Sequence, residues 1–190
     1  MKNGFSIGWQ ELLHILVSVI TISLAFTIFR DDFTPDLFLV ILITVGTAFI
    51  LHELGHRFVA VAYGAKAEYR AWSSGLFLAL AMAFLTRGQF VFAAPGAVYI
   101  YGQHLTAEQN GKIALAGPLV NLLLALFFLA AMAFSFLPAT LAGTGFMINV
   151  FLGAFNMLPI PPLDGSKVAE WSRTVWLSFF LVFIAFLFAF

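Results

Sequence analysis

His52-Glu53-Leu54-Gly55-His56 puts two imidazoles and a carboxylate inside an apolar run that extends from Leu37 to Tyr63. On a helix a step of four residues turns about 400° and a step of one about 100°. The two imidazoles therefore lie roughly 40° apart, one turn above the other, with the Glu53 carboxylate on the same side. This is the H-E-x-x-H pattern, in which two neutral imidazoles hold Zn²⁺ and the carboxylate serves as base toward water. Ionisable groups at or near hydrocarbon depth are costly unless paired or in use, which marks this stretch as the candidate site. Arg57, four residues after Glu53, could neutralise that carboxylate but gives the histidines no role.

The chain has no Cys, which removes disulfides, thiolate ligands and thiol nucleophiles together. His, Asp and Glu remain as ligands, and a catalytic zinc takes three from the protein while keeping one position open. The candidates for the third are Asp164, Glu11, His14, His104 and Glu108. Asp164 follows Pro159-Ile160-Pro161-Pro162-Leu163, and prolines this dense cannot continue a helix. That places its carboxylate on unwound backbone, which membrane depth allows only against protein or a wet cavity. Asp164 is therefore the favoured third ligand. Glu11 and His14, three apart near a helix end, read as a packing or surface pair. An oxyanion needs donors beyond the metal, and Asn156 could supply an amide from the stretch that leads to Asp164. Asn121 is a second amide in an apolar run, at least as well suited to helix-to-helix hydrogen bonding.

Composition says what must hold these groups. Of 190 residues, 62% are hydrophobic and 9% charged, against roughly a quarter charged in soluble domains. The chain reads as an all-α polytopic membrane protein. Its nine basic and nine acidic side chains are dispersed and give nucleic acid nothing to hold. The first apolar run carries Glu11 and His14 and lacks a small-residue cleavage pattern, so no cleavable signal peptide is expected.

Spans are predicted at 9–29, 37–63, 113–137, 144–163 and 174–190. Trp72–Leu85 would rise only about 21 Å as helix and reads as re-entrant or interfacial unless Phe90–Tyr101 crosses back with it, giving five to six transmembrane helices. Lys66–Tyr69 reads as a polar strand or turn. Phe90–Tyr101 reads as a small membrane-associated β hairpin turning at Pro95-Gly96. Thr34-Pro35 and Thr106-Ala107-Glu108-Gln109 are helix starts, and Ser166–Arg173 is a short polar helix or turn. One side receives Lys2, Arg57, Lys66, Arg70, Arg87, Lys112, Lys167 and Arg173, and the other Arg30. The positive-inside rule then puts the N-terminus and 64–112 in the cytoplasm, with the cell membrane as the expected location. Labelling of Gln103 from outside would overturn that orientation.

HELGH at 52–56, AGPLVN at 116–121 and FNMLPIPPLDG at 155–165 together resemble the site-2 protease family of intramembrane zinc metalloproteases, peptidase family M50. The resemblance covers a motif-bearing core of 37–168 within what reads as a single domain, 1–190. It implies that His52, His56 and Asp164 bind zinc, that Glu53 is the catalytic acid/base and that Asn156 assists the substrate carbonyl. It further implies a zinc metalloendopeptidase that cuts transmembrane proteins or peptides in the lipid bilayer, in regulated intramembrane proteolysis. Ser166 stands where many relatives have a second Gly after the DG. No PDZ or CBS domain fits in 190 residues, so regulation by such a module is absent or supplied by a partner protein. An extended substrate is expected to add as a strand near 66–69 or 90–101. The competing reading is a metal-binding membrane transporter or sensor, for which an unligated carboxylate such as Glu53 beside the ion has no use.

Overall fold

A computed structural model describes residues 7–28, 32–92, 94–101 and 105–189. Among them the elements run α1 (Trp9–Thr27), α2 (Pro35–Ala62), β1 (Lys66–Ala71), α3 (Ser73–Leu85), β2 (Gly96–Tyr101), α4 (Ala107–Phe134), α5 (Ala139–Asn156), α6 (Asp164–Trp171) and α7 (Arg173–Ala189). The protein is thus an all-α polytopic fold with one small sheet. α1, α2, α4 and α5 are long and apolar enough to cross a membrane, while α3 and α7 are shorter apolar helices. Five to six spans are expected from the sequence. The 17 residues of α7 would rise about 25 Å, below the roughly 30 Å of hydrocarbon.

Local signals explain the helix starts. Thr34 accepts from the Leu37 N–H at 3.1 Å, with Pro35 in the first turn of α2. Thr106 and Gln109 form a reciprocal capping box, which satisfies two otherwise orphaned N–H groups and starts α4 ahead of the expected 113. α5 ends at Asn156 rather than 163, because the prolines beyond it supply no helical N–H. The short helix α6 begins at Asp164, with Leu163 as its N-cap. Asp164 is therefore the first helical residue after the proline segment and not part of unwound backbone, as its sequence suggests.

The hairpin expected within Phe90–Tyr101 is replaced by a longer-range pair. β1 runs antiparallel to β2, from Lys66 opposite Tyr101 to Ala71 opposite Gly96, and α3 lies in the connection. Pro95 is the acceptor for the Trp72 N–H at 2.8 Å, at the end of the ladder instead of in a turn. The pairing buries Ala67 and Tyr69, a gain that a local Pro-Gly turn would not offer.

α4 packs against α2, α5 and α6. One core joins Ile22, Ile41, Val45, Ala79, Leu152 and Phe155 across α1, α2, α3 and α5. A second joins Phe128, Phe146, Val150, Met157 and Phe183 across α4, α5 and α7. Large apolar side chains such as Phe77 (72% exposed) and Phe188 (87%) face outward while His52, Glu53, His56, Arg57 and Asp164 are buried, the distribution that lipid imposes.

Candidate metal centre

α2 stacks the two histidines as their spacing requires, with ring centroids 4.6 Å apart and planes at 83°. Their Nε2 atoms are 2.9 Å apart. Asp164 at the head of α6 brings Oδ2 to 3.3 Å from His52 Nε2 and 3.1 Å from His56 Nε2. Among the described residues these three form a group able to hold a metal ion. Zinc bonds of about 2.0–2.1 Å in a tetrahedron would set such atoms roughly 3.3 Å apart, so the observed spacings fit the ion.

The outer atoms of the rings support the same conclusion. His56 Nδ1 donates to Ile113 O at 2.7 Å, and His52 Nδ1 to Asn121 Oδ1 at 2.6 Å. A neutral imidazole with its proton on Nδ1 has a lone pair on Nε2. Two lone pairs and a carboxylate oxygen then converge on one point and repel unless a cation lies between them. α4 leaves room for this through Gly117, where a Cβ would run into both His Nε2 atoms.

A cavity of about 50 Å³ opens here, lined by His52, Glu53, Asn156, Asp164, Lys167 and Gly96 among others. It has space for water. Glu53 is buried, and its Oε2 has no hydrogen-bond partner among the described residues. Asn156, in the cavity wall, donates one amide N–H to Leu152 O at 3.0 Å; an amide nitrogen carries two.

The remaining candidates for third ligand go elsewhere. Glu11 accepts from Arg57 at 2.6 Å and from the Tyr69 N–H at 3.0 Å, tying α1, α2 and β1 together. Arg57 thus pairs with Glu11. His14 is not joined to Glu11, and its Nδ1 is buried without a partner among the described residues. Glu108 forms an exposed pair with Lys112 at 2.5 Å. His104 lies outside the described residues. Burial also pushes the Tyr69 phenol well above its ordinary pKa, keeping its hydrogen bond with Ser18 at 2.8 Å intact.

Sequence reasoning assigns no role to Asn149, whose Oδ1 accepts from Asn121 Nδ2 at 3.0 Å. Its one signal is an amide in an otherwise apolar helix. The tie between Arg57 and Glu11 across 46 positions has no local signal.

Residues 40–141 match the family model for peptidase family M50. That stretch contains His52, Glu53, His56 and Asn121 and ends before Asn156 and Asp164. A protein of Methanocaldococcus jannaschii, named as a candidate zinc metalloprotease, is 46% identical over 176 residues, covering 90% of this chain and 90% of its own. A candidate zinc metalloprotease of Mycobacterium tuberculosis is 38% identical over 136 residues, or 63% of this chain and 52% of that protein. A second M. jannaschii protein, a zinc metalloprotease, is 27% identical over 161 residues, or 83% of this chain and 40% of that protein. No solved structure matches the chain.

Proposed function

This chain belongs to peptidase family M50, and from that premise we propose that it is an intramembrane endopeptidase, with membrane-spanning proteins or peptides as substrates. Its resident metal is zinc, and His52, His56 and Asp164 are the residues that would hold it. Bound there, zinc supplies a Lewis acid that polarises a peptide carbonyl and lowers the pKa of water.

Glu53 accepts the proton of the attacking water and returns it to the leaving amine. Its position beside the histidines, with Oε2 left without a partner among the described residues, supports that role. Asn156 donates its second amide N–H to the developing oxyanion from the wall of the same cavity. Gly96, Ala97 and Val98 of β2 also line the cavity, and β2 pairs only with β1 among the described residues. An unwound substrate segment adds along the open side of β2, which brings its carbonyl toward the histidines. Proline substitutions along 96–101 that leave cleavage unchanged would remove this last element.

The chain sits in the plasma membrane, with the N-terminal side of α1 and 64–112 cytoplasmic.

The observation that carries the reading is the convergence of two Nε2 lone pairs and one carboxylate oxygen within 3.3 Å. The test compares native chain and Glu53→Gln in detergent for zinc content and for cleavage of a generic transmembrane peptide. The expected result is equal zinc, with cleavage lower by about 10²-fold or more. Undiminished cleavage by Glu53→Gln would overturn Glu53 as the base, whereas a native chain that binds zinc and cleaves nothing would favour the metal-transporter or sensor reading.

A further inference from the structure

The hydrogen-bond polarity at His52 is set through Asn121 by two acceptors, the nearer of them Asn149 on α5, two side chains away. Asn149 Nδ2 donates to Gly145 O, on its own helix, at 2.8 Å. A backbone carbonyl can only accept, so the amide must turn its nitrogen there and its oxygen toward Asn121. Asn121 Nδ2 donates to that oxygen at 3.0 Å and to Ala48 O at 3.3 Å, which leaves Asn121 Oδ1 facing His52. That oxygen also can only accept, so the ring proton of His52 sits on Nδ1, 2.6 Å away. The lone pair is then on Nε2, toward the candidate metal position. Asn121 and Asn149 are both 0% exposed, so no bulk water competes with the series.

We infer that Asn149 is a positioning residue for the metal centre: acting through Asn121, it holds His52 in the tautomer that presents Nε2 to zinc. The inference rests on the proposed zinc site of His52, His56 and Asp164. Asn149 touches neither that site nor its cavity, and its whole effect passes through Asn121. His56 is a built-in reference, because its Nδ1 proton goes to Ile113 O and lies outside the series.

The test is the zinc dissociation constant of the full chain in detergent, measured by chelator competition for the native protein, Asn149→Leu, Asn121→Leu and the double variant. Partners of metal-binding histidines typically change affinity 10- to 100-fold. Asn149→Leu is expected to weaken zinc about 10-fold and Asn121→Leu at least as much. The double variant should be no weaker than Asn121→Leu alone, because removing the middle of a relay silences its far end. In ¹⁵N-histidine spectra of zinc-loaded Asn149→Leu, the Nδ1 proton of His52 should move and exchange faster while that of His56 stays put.

Unchanged affinity in Asn149→Leu, single effects that multiply in the double variant, or equal movement of both rings would each overturn the inference. If Asn149→Leu does not fold, Asn149→Ser is read against the same outcomes, its shorter side chain drawing back from Asn121. Coordination of zinc through His52 Nδ1 in the native chain would overturn it without any substitution. A native chain that takes up no zinc would overturn the metal site itself and the relay with it, whereas native binding with unaltered variants overturns the relay alone.

Discussion

Two buried polar clusters meet α2 on different faces, and their charges are organised in opposite ways. Around Arg57 donors face acceptors: Glu11 accepts from the guanidinium and from the Tyr69 N–H, and the Tyr69 hydroxyl is shared with Ser18. Around His52 and His56 the inward-facing atoms are all acceptors, two ring nitrogens and the Asp164 carboxylate. Burial does not separate the clusters, since Glu11 and Arg57 are 4% and 5% exposed and the histidines 4% and 5%. The balance of donors and acceptors does. A cluster in which donors meet acceptors ties elements together, whereas acceptors gathered without a donor need a cation. Glu53 lines the cavity beside the histidines and also a second cavity beside Glu11 and Arg57, and its Oε2 has no hydrogen-bond partner among the described residues.

This contrast can be broken by experiment. Asp164→Ala removes the only anion from the acceptor cluster, and zinc measured on the purified protein should fall to background together with peptide cleavage. Retention of full zinc would mean that the cluster is not what holds the ion. Glu11→Ala leaves the Arg57 charge buried beside a hole, and thermal or denaturant unfolding in detergent should show a loss of about 3–5 kcal/mol. The fraction that remains folded should still bind zinc, because this cluster is a tie and not a ligand set. Glu11→Leu with Arg57→Met replaces the pair by apolar volume and should recover most of that loss. It would stay within about 2 kcal/mol of native, the remainder reflecting the Tyr69 N–H left without its acceptor. Tyr69→Phe removes only the hydroxyl shared with Ser18 and should cost about 1 kcal/mol, with cleavage unchanged. A larger fall in cleavage than in stability would show that the two clusters are functionally joined.

Legibility in the sequence follows distance along the chain. The stacked histidines, the Glu beside them, the Thr34 and Thr106 helix starts and the apolar spans are properties of residues within a few positions of one another, and all were readable. Asp164 was readable as a carboxylate with an unusual approach, although it begins α6 and does not sit on unwound backbone. The Pro95-Gly96 pair was misleading. Its local turn signal competed with a ladder that joins Lys66 to Tyr101, and burial of Tyr69 in that ladder outweighed the turn. Arg57 looked like a partner for Glu53 because the two are four apart on one helix. It reaches Glu11 on α1 instead, since α2 presents it to a different neighbour.

By itself the sequence determined the chemistry available: two imidazoles and a carboxylate on one helical face, no thiols, a second carboxylate behind prolines, and enough apolar length to place them in lipid. Helical geometry and hydropathy act over a single turn or a single span, so no tertiary contact was needed for these. Only the tertiary structure decided which carboxylate faces the histidines, which one takes Arg57, and that Asn149 on α5 orients a ring on α2. Each of those is a contact between elements far apart in the chain, and its partner is chosen by how α1, α4, α5 and α6 pack around α2.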